Sequence, residues 1–152
     1  PSPIEVGTGL KGEYFDNKDF TNLKMTRTDA SVNFNWGGGA PSSLMGVDTF
    51  SVRWTGQIMP KFSQEYTFST TSDDGVRLWV DGKLIIDNWT RHAPTTNTGR
   101  ITLQAGQKYD IKLEYYEETG GAVMQLGWSS ASQPYQIVPQ SQLFATAGTV
   151  LA

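Results

Sequence analysis

Thr71-Ser72-Asp73-Asp74-Gly75-Val76-Arg77-Leu78-Trp79-Val80-Asp81-Gly82-Lys83 holds a strand end, an acidic corner, a second strand and a hairpin turn. Val76, Leu78 and Val80 alternate with Arg77, Trp79 and Asp81, the period of a strand with one buried face. Asp81-Gly82 fits a two-residue type I′ turn, which needs positive φ at both central positions. Upstream, Tyr66, Phe68 and Thr70 repeat the alternation. Strand, corner, strand and tight turn together predict antiparallel β-structure. The corner raises a separate question. Adjacent side chains on an extended chain point to opposite faces, so Asp73 and Asp74 reach one ion only where the backbone bends sharply.

The same period recurs on both sides. Phe50, Val52, Trp54 and Ile58 share a face, and Pro60 ends that strand. Leu84-Ile85-Ile86 continues the hairpin toward Trp89, and Ile101 and Leu103 alternate before a turn at Ala105-Gly106-Gln107. Tyr109, Ile111, Leu113 and Tyr115 stand opposite Lys108, Asp110, Lys112 and Glu114; Ala122, Met124, Leu126 and Trp128 line a further strand. Leu10–Phe15 and Leu143-Phe144 read as the first and last strands. Asp16–Asp48 reads as a long irregular segment, broken by Gly37-Gly38-Gly39 and Pro41, with a brief alternation from Val32 to Trp36. A loop of that length is expected to wrap one end of the fold. Thr90–Thr98 and Glu117–Gly121 read as polar loops. Helical periodicity of useful length is missing. The fold class is therefore all-β, an antiparallel β-sandwich. Residues 9–145 are the domain, with tails at 1–8 and 146–152.

Composition narrows the function classes. A chain of 152 residues fits one domain that builds its own core. Without cysteine there are no disulfides and no thiolate metal sites. The net charge of −3, with no basic tract, argues against a nucleic-acid partner. No apolar run is long enough to span a bilayer, and Pro1–Gly9 does not read as a signal peptide. Five Trp and six Tyr are mostly core in such a domain, with some left for a binding surface; Trp54, Trp79 and Trp128 are assigned to structure.

The catalytic inventory is thin. One histidine, His92, and no cysteine leave few nucleophile–base arrangements, and His92 suits a loop hydrogen bond. Glycoside hydrolysis needs two carboxylates, so Asp73 or Asp74 with Glu117 meets the residue requirement. Adjacent aspartates beside a glycine suit a hard cation better than a separated acid/base pair. Calcium takes about six to eight oxygens from carboxylates, carbonyls and waters. Asp73, Asp74 and Glu117 offer carboxylates, and the glycine-containing Thr119–Gly121 segment offers carbonyls. The spacing is not that of an EF-hand, and on composition alone a plain turn at Asp73-Asp74-Gly75 is the favoured reading.

Six pieces stand in an order that resembles the PA14 family: Gly9–Phe15, Val52–Gly56, Tyr66–Phe68, Ser72–Gly82, Asp87–Trp89 and Glu114–Glu117. The resemblance runs from about Gly9 to Ala145. It implies a β-sandwich with a calcium site at one end, non-catalytic and lectin-like. By the family pattern, Asp73 and Asp74 are joined by a cis peptide and bind the ion side by side. Glu117 supplies a side chain, and Thr119 and Gly121 supply backbone carbonyls. Fungal adhesins of this family carry an amide where this chain has Glu117, which adds a negative charge here. Sugar hydroxyls complete the coordination. Apart from the resemblance, Trp89, Arg91 and His92 follow a hairpin strand and are candidate ligand contacts, since a sugar often stacks on an exposed aromatic; the other reading of Trp89 is a cap on the sandwich. The expected partner is a polysaccharide or glycan. The expected setting is an extracellular or cell-surface protein, in which the domain is tethered to others and anchors an enzyme, adhesin or sensor. The alternative is a structural or protein-contact module that binds no sugar.

Overall fold

The computed structural model describes residues 7–41, 49–118 and 121–145. Among these, the strands are β1 (Leu10–Phe15), β2 (Leu23–Asp29), β3 (Asn33–Gly37), β4 (Phe50–Ile58), β5 (Gln64–Asp73), β6 (Val76–Val80), β7 (Lys83–Asn88), β8 (Thr95–Leu103), β9 (Tyr109–Glu117), β10 (Ala122–Ser129), β11 (Gln136–Ile137) and β12 (Leu143–Phe144). A single 3-10 turn, Gln140–Gln142, precedes the last. Two antiparallel sheets form. The larger runs β2-β1-β4-β9-β6-β7 with β12 beside β4; the smaller runs β11-β10-β5-β8 with β3 beside β10.

The alternating residues meet between the sheets. Val52, Trp54 and Ile58 of β4, Leu113 and Tyr115 of β9, and Leu78 and Val80 of β6 are fully buried from one side. Tyr66 and Phe68 of β5 and Met124, Leu126 and Trp128 of β10 meet them from the other. Trp79 points outward from β6 and is only partly covered, with the Lys112 ammonium 4.2 Å from its ring. So Trp54 and Trp128 are core and Trp79 is not. Asp81 and Gly82 have φ of 54° and 75°, as the type I′ turn requires.

The long segment after β1 is less irregular than its sequence suggests. It contains β2, an edge strand with little apolar alternation, anchored by polar groups. Asp29 is buried and accepts hydrogen bonds from Trp54 Nε1 (2.8 Å), Arg27 Nε (2.6 Å) and the Tyr14 hydroxyl. Likewise the expected loop Thr90–Thr98 yields its second half to β8. There Thr95, Thr96 and Asn97 pair with Ser72, Thr71 and Thr70.

Connections that change sheet decide where the site lies. β5 belongs to the smaller sheet and β6 to the larger, so the chain crosses between layers at Asp74-Gly75. β7 to β8 and β9 to β10 cross as well. The register puts all three crossings at one end: Val76 pairs with Asn88 and Tyr115, and Asp73 pairs with Val123.

Candidate functional site

Asp73 ends β5, Asp74 follows it, and Glu117 ends β9. Each carboxylate is buried, and one ligand atom from each lies within 4.8 Å of the others. The Asp73–Asp74 peptide is cis. Topology explains the convergence, since the acids sit on two sheet crossings that run side by side.

The corner is welded to the end of β9. Asp74 N–H donates to Tyr116 O (3.1 Å), and Tyr116 N–H donates to Gly75 O (3.0 Å). The buried Tyr115 hydroxyl donates to Asp73 O (2.6 Å), and Ser72 Oγ donates to Asp74 O (3.0 Å). The Asp74 carboxylate then gathers the other crossings. Its Oδ1 accepts His92 N–H at 3.1 Å and its Oδ2 accepts Glu118 N–H at 2.8 Å. One side chain thus ties all three connections together.

The other expected contacts form the rim. Trp89 stacks on Phe20 (centroids 5.8 Å apart), meets the Tyr116 ring edge-on (4.7 Å), and lies 3.9 Å under the Arg77 guanidinium. Arg91 is exposed and stands 3.9 Å from Glu118, which also pairs with Lys18 at 3.0 Å. His92 Nδ1 is 2.7 Å from Ala93 O; a carbonyl only accepts, so Nδ1 carries the proton. Gly121 is exposed beside the corner, and a Cβ there would lie 3.8 Å from Asp73 Oδ2. Thr119 lies outside the described residues. Sequence reasoning missed Ser72, Tyr115, Tyr116 and Glu118. Tyr115 and Tyr116 bond to backbone atoms across the crossing, which only the register shows; Glu118 acts through its N–H to the Asp74 carboxylate, and Ser72 through a local bond two residues on.

The electrostatics fit a cation. Burial, then the hydrogen bond and charge of Asp74, push the Asp73 carboxyl up to about 6, with His92 acting the other way. Burial raises the Tyr115 hydroxyl too, followed by the charges of Glu117, Asp73 and Asp74. Among the described residues no lysine or arginine forms an ion pair with Asp73 or Asp74. The three side chains offer only carboxylate oxygens, the hard donors calcium prefers. The donor set therefore fits Ca2+.

A pH dependence follows. The folded corner takes up a proton between the ordinary aspartate range and about pH 6, where the unfolded chain stays ionised. In chelator, this group makes the protein more stable as pH falls through that window. A cation held at the corner would respond oppositely, because protons would compete with it for Asp73. Melting in EGTA at about pH 7 and pH 5 checks the first sign, with Asp73→Asn expected to remove the difference attributable to this group.

A groove of about 410 Å³ lined by Thr55, Trp79, Asp110 and Lys112 lies elsewhere. Along β9, Ile111 in its floor is six residues from Glu117, roughly 20 Å at strand rise.

Comparison with known proteins agrees with the topology. The PA14 domain model matches residues 7–142. Over 143 residues the chain is 50% identical to the anti-sigma-I factor RsgI3 of Acetivibrio thermocellus, covering 94% of this chain and 22% of that protein. An anti-sigma factor domain-containing protein of known structure superposes with a TM-score of 0.91 at 48% identity, covering 95% of this chain and 51% of that one. A PA14 sugar-binding domain from an RTX adhesin shares the fold at a TM-score of 0.78 and 16% identity, covering 93% and 99% of the two chains. The chain thus spans about a fifth of RsgI3 and half of the first of these structures. With the family model matched over most of its length and the two-sheet sandwich in place, the chain belongs to the PA14 domain family.

Proposed function

We propose that this domain is a non-catalytic, calcium-dependent glycan-binding module of a larger extracellular protein. The observation that carries the reading is the convergence of three buried carboxylates at the end where the chain changes sheets. Asp73, Asp74 and Glu117 would hold the ion, with the backbone carbonyls of Thr119 and Gly121 as the further ligands of this reading. Calcium held there would offer its open positions to vicinal hydroxyls of a sugar. Trp89, Arg91 and His92 form the wall and rim on which the rest of the glycan rests. The sugar-binding PA14 domain of the RTX adhesin supports sugar as the ligand class. Kinship with anti-sigma factors favours a surface sensor of polysaccharide over a glycosidase or adhesin as the parent chain.

A glycan array probed in calcium and again in EGTA tests this. The expected result is a set of glycans bound in calcium and lost with the chelator. If every glycan bound in calcium is held equally in EGTA, or none is bound in calcium, the calcium-lectin reading is overturned. One observation favours a second reading: Asp74 already accepts two backbone N–H groups, so the corner also serves as a structural knot. An array silent in calcium leaves that role standing.

A further inference from the structure

We propose that the outer face of the five-stranded sheet is a second glycan-binding surface that needs no metal, with Tyr135 as the platform for a neutral pyranose. It works independently of the acidic corner. Tyr135 is 58% exposed, which is unusual for so large an apolar ring. Its seat is a glycine in the middle of β10. A Cβ at Gly127 would lie 2.5 Å from Tyr135 Oη and 2.7 Å from Cε1 and Cζ, so the ring occupies the place a side chain would take. It lies on the sheet rather than standing away from it, and much of its surface faces water.

The ring is held from both directions. After it, Gln136 and Ile137 pair with Trp128 and Gly127. Before it, the turn at 130–133 closes through Ser130 N–H to Gln133 O (2.9 Å). Gln64 fastens that turn: its Oε1 accepts Ser130 Oγ (2.7 Å) and Ser132 N–H (3.0 Å), and its Nε2 donates to Ser132 Oγ (2.6 Å). An aromatic positioned this way loses little freedom on binding.

Beside the ring the face carries hydroxyls and amides. From Gly127 the cross-strand row runs to Ser69 and Thr98, and the next runs from Gln125 to Thr71 and Thr96. Strands about 4.8 Å apart set these groups at the scale of a pyranose. Several are already oriented, since Gln125 Nε2 donates to Asn33 Oδ1 (2.9 Å) and the Thr71 and Thr96 hydroxyls are 2.9 Å apart. Arg100 and Glu65 also lie on this face: Arg100 stands opposite Thr67 in the row next to that of Gly127 and Ser69, and Glu65 stands opposite Thr102 in the row after it. The outer face of the larger sheet is built otherwise: Glu13, Arg53, Glu114, Arg77 and Asp87 line up across five strands as alternating charges.

A neutral sugar matches the smaller sheet's face. Its C–H side packs on the ring, while its hydroxyls exchange hydrogen bonds with Ser, Thr, Gln and Asn. A protein partner would want a wider apolar centre than one tyrosine among hydroxyls.

Native gel electrophoresis in EGTA, through gels containing hydroxyethylcellulose, xylan or galactomannan, tests the proposal. The expected result is retardation by at least one polymer, weakened about tenfold or more by Tyr135→Ala and kept by Tyr135→Phe. Equal retardation of Tyr135→Ala overturns the proposal, as does a parent protein that no polymer retards in EGTA. Retardation that returns only with calcium rejects this surface and leaves the corner's reading intact.

Discussion

Asp73→Asn is expected to reduce calcium affinity by more than about a hundredfold, while the metal-free protein melts no earlier than the parent. Replacing even an outer partner of a metal ligand costs about 10–100-fold, so loss of a direct carboxylate costs at least that. Stability follows a different account. Asp73 is buried beside Asp74, and that surrounding holds its pKa near 6, so ionisation at neutral pH opposes folding. An amide keeps the shape and removes the charge. Asp74→Ala is expected to behave differently, although it also removes a carboxylate from the proposed ligand set. It strands the N–H groups of His92 and Glu118, which Asp74 caps at 3.1 and 2.8 Å. Charge-assisted bonds of this sort are worth about 1.5–3 kcal/mol, enough to lower the melting temperature by several degrees. Calorimetry in calcium and thermal melts in EGTA separate the two. Unchanged calcium affinity in Asp73→Asn would remove the metal centre, and equal melting of Asp74→Ala would remove the knot.

That difference between neighbours marks the limit of what the sequence could say. The resemblance to the PA14 family singles out both aspartates together, as a pair beside a glycine. Their separate duties depend on which connections cross between sheets at that end, which local pattern does not encode. The strands themselves were readable wherever one face is apolar: Phe50–Ile58 and Val76–Val80 occur with the bounds their alternation suggests, while the strand read from Tyr109 to Tyr115 runs on through Glu117, which the sequence alone assigns to a loop. β2 escaped because an edge strand can be held by Asp29, Arg27 and Tyr14 without an apolar stripe. The start of β8 escaped because Thr95–Asn97 pairs with the end of β5 through backbone bonds and mostly exposed hydroxyls. Both failures have one cause, since hydrophobic period reports burial and not pairing.

Gly75→Ala is expected to disable the corner and weaken the whole sandwich, and a second substitution should partly repair it. A Cβ at Gly75 would fall 2.0 Å from Tyr116 Cε2 and 2.7 Å from Cδ2, closer than any packed carbon tolerates. Neither side can yield easily. Gly75 is clamped through its own carbonyl to Tyr116 N–H, with the Asp74 N–H bonded to Tyr116 O. The Tyr116 ring rests on Trp89, which in turn stacks on Phe20. Relief therefore means pulling the acidic corner away from the end of β9, which separates Asp73 and Asp74 from Glu117. Overpacking in a closed site costs about 1–3 kcal/mol or more, and the loss of ligand geometry should abolish calcium binding outright. Tyr116→Ala removes the ring that the new methyl strikes, at the expense of its packing on Trp89. In that background Gly75→Ala should be nearly silent, so the double variant is more stable than the sum of the two single losses allows. Urea denaturation of the four proteins measures this coupling directly. Additive losses would mean that the glycine is needed for its backbone rather than for the ring above it.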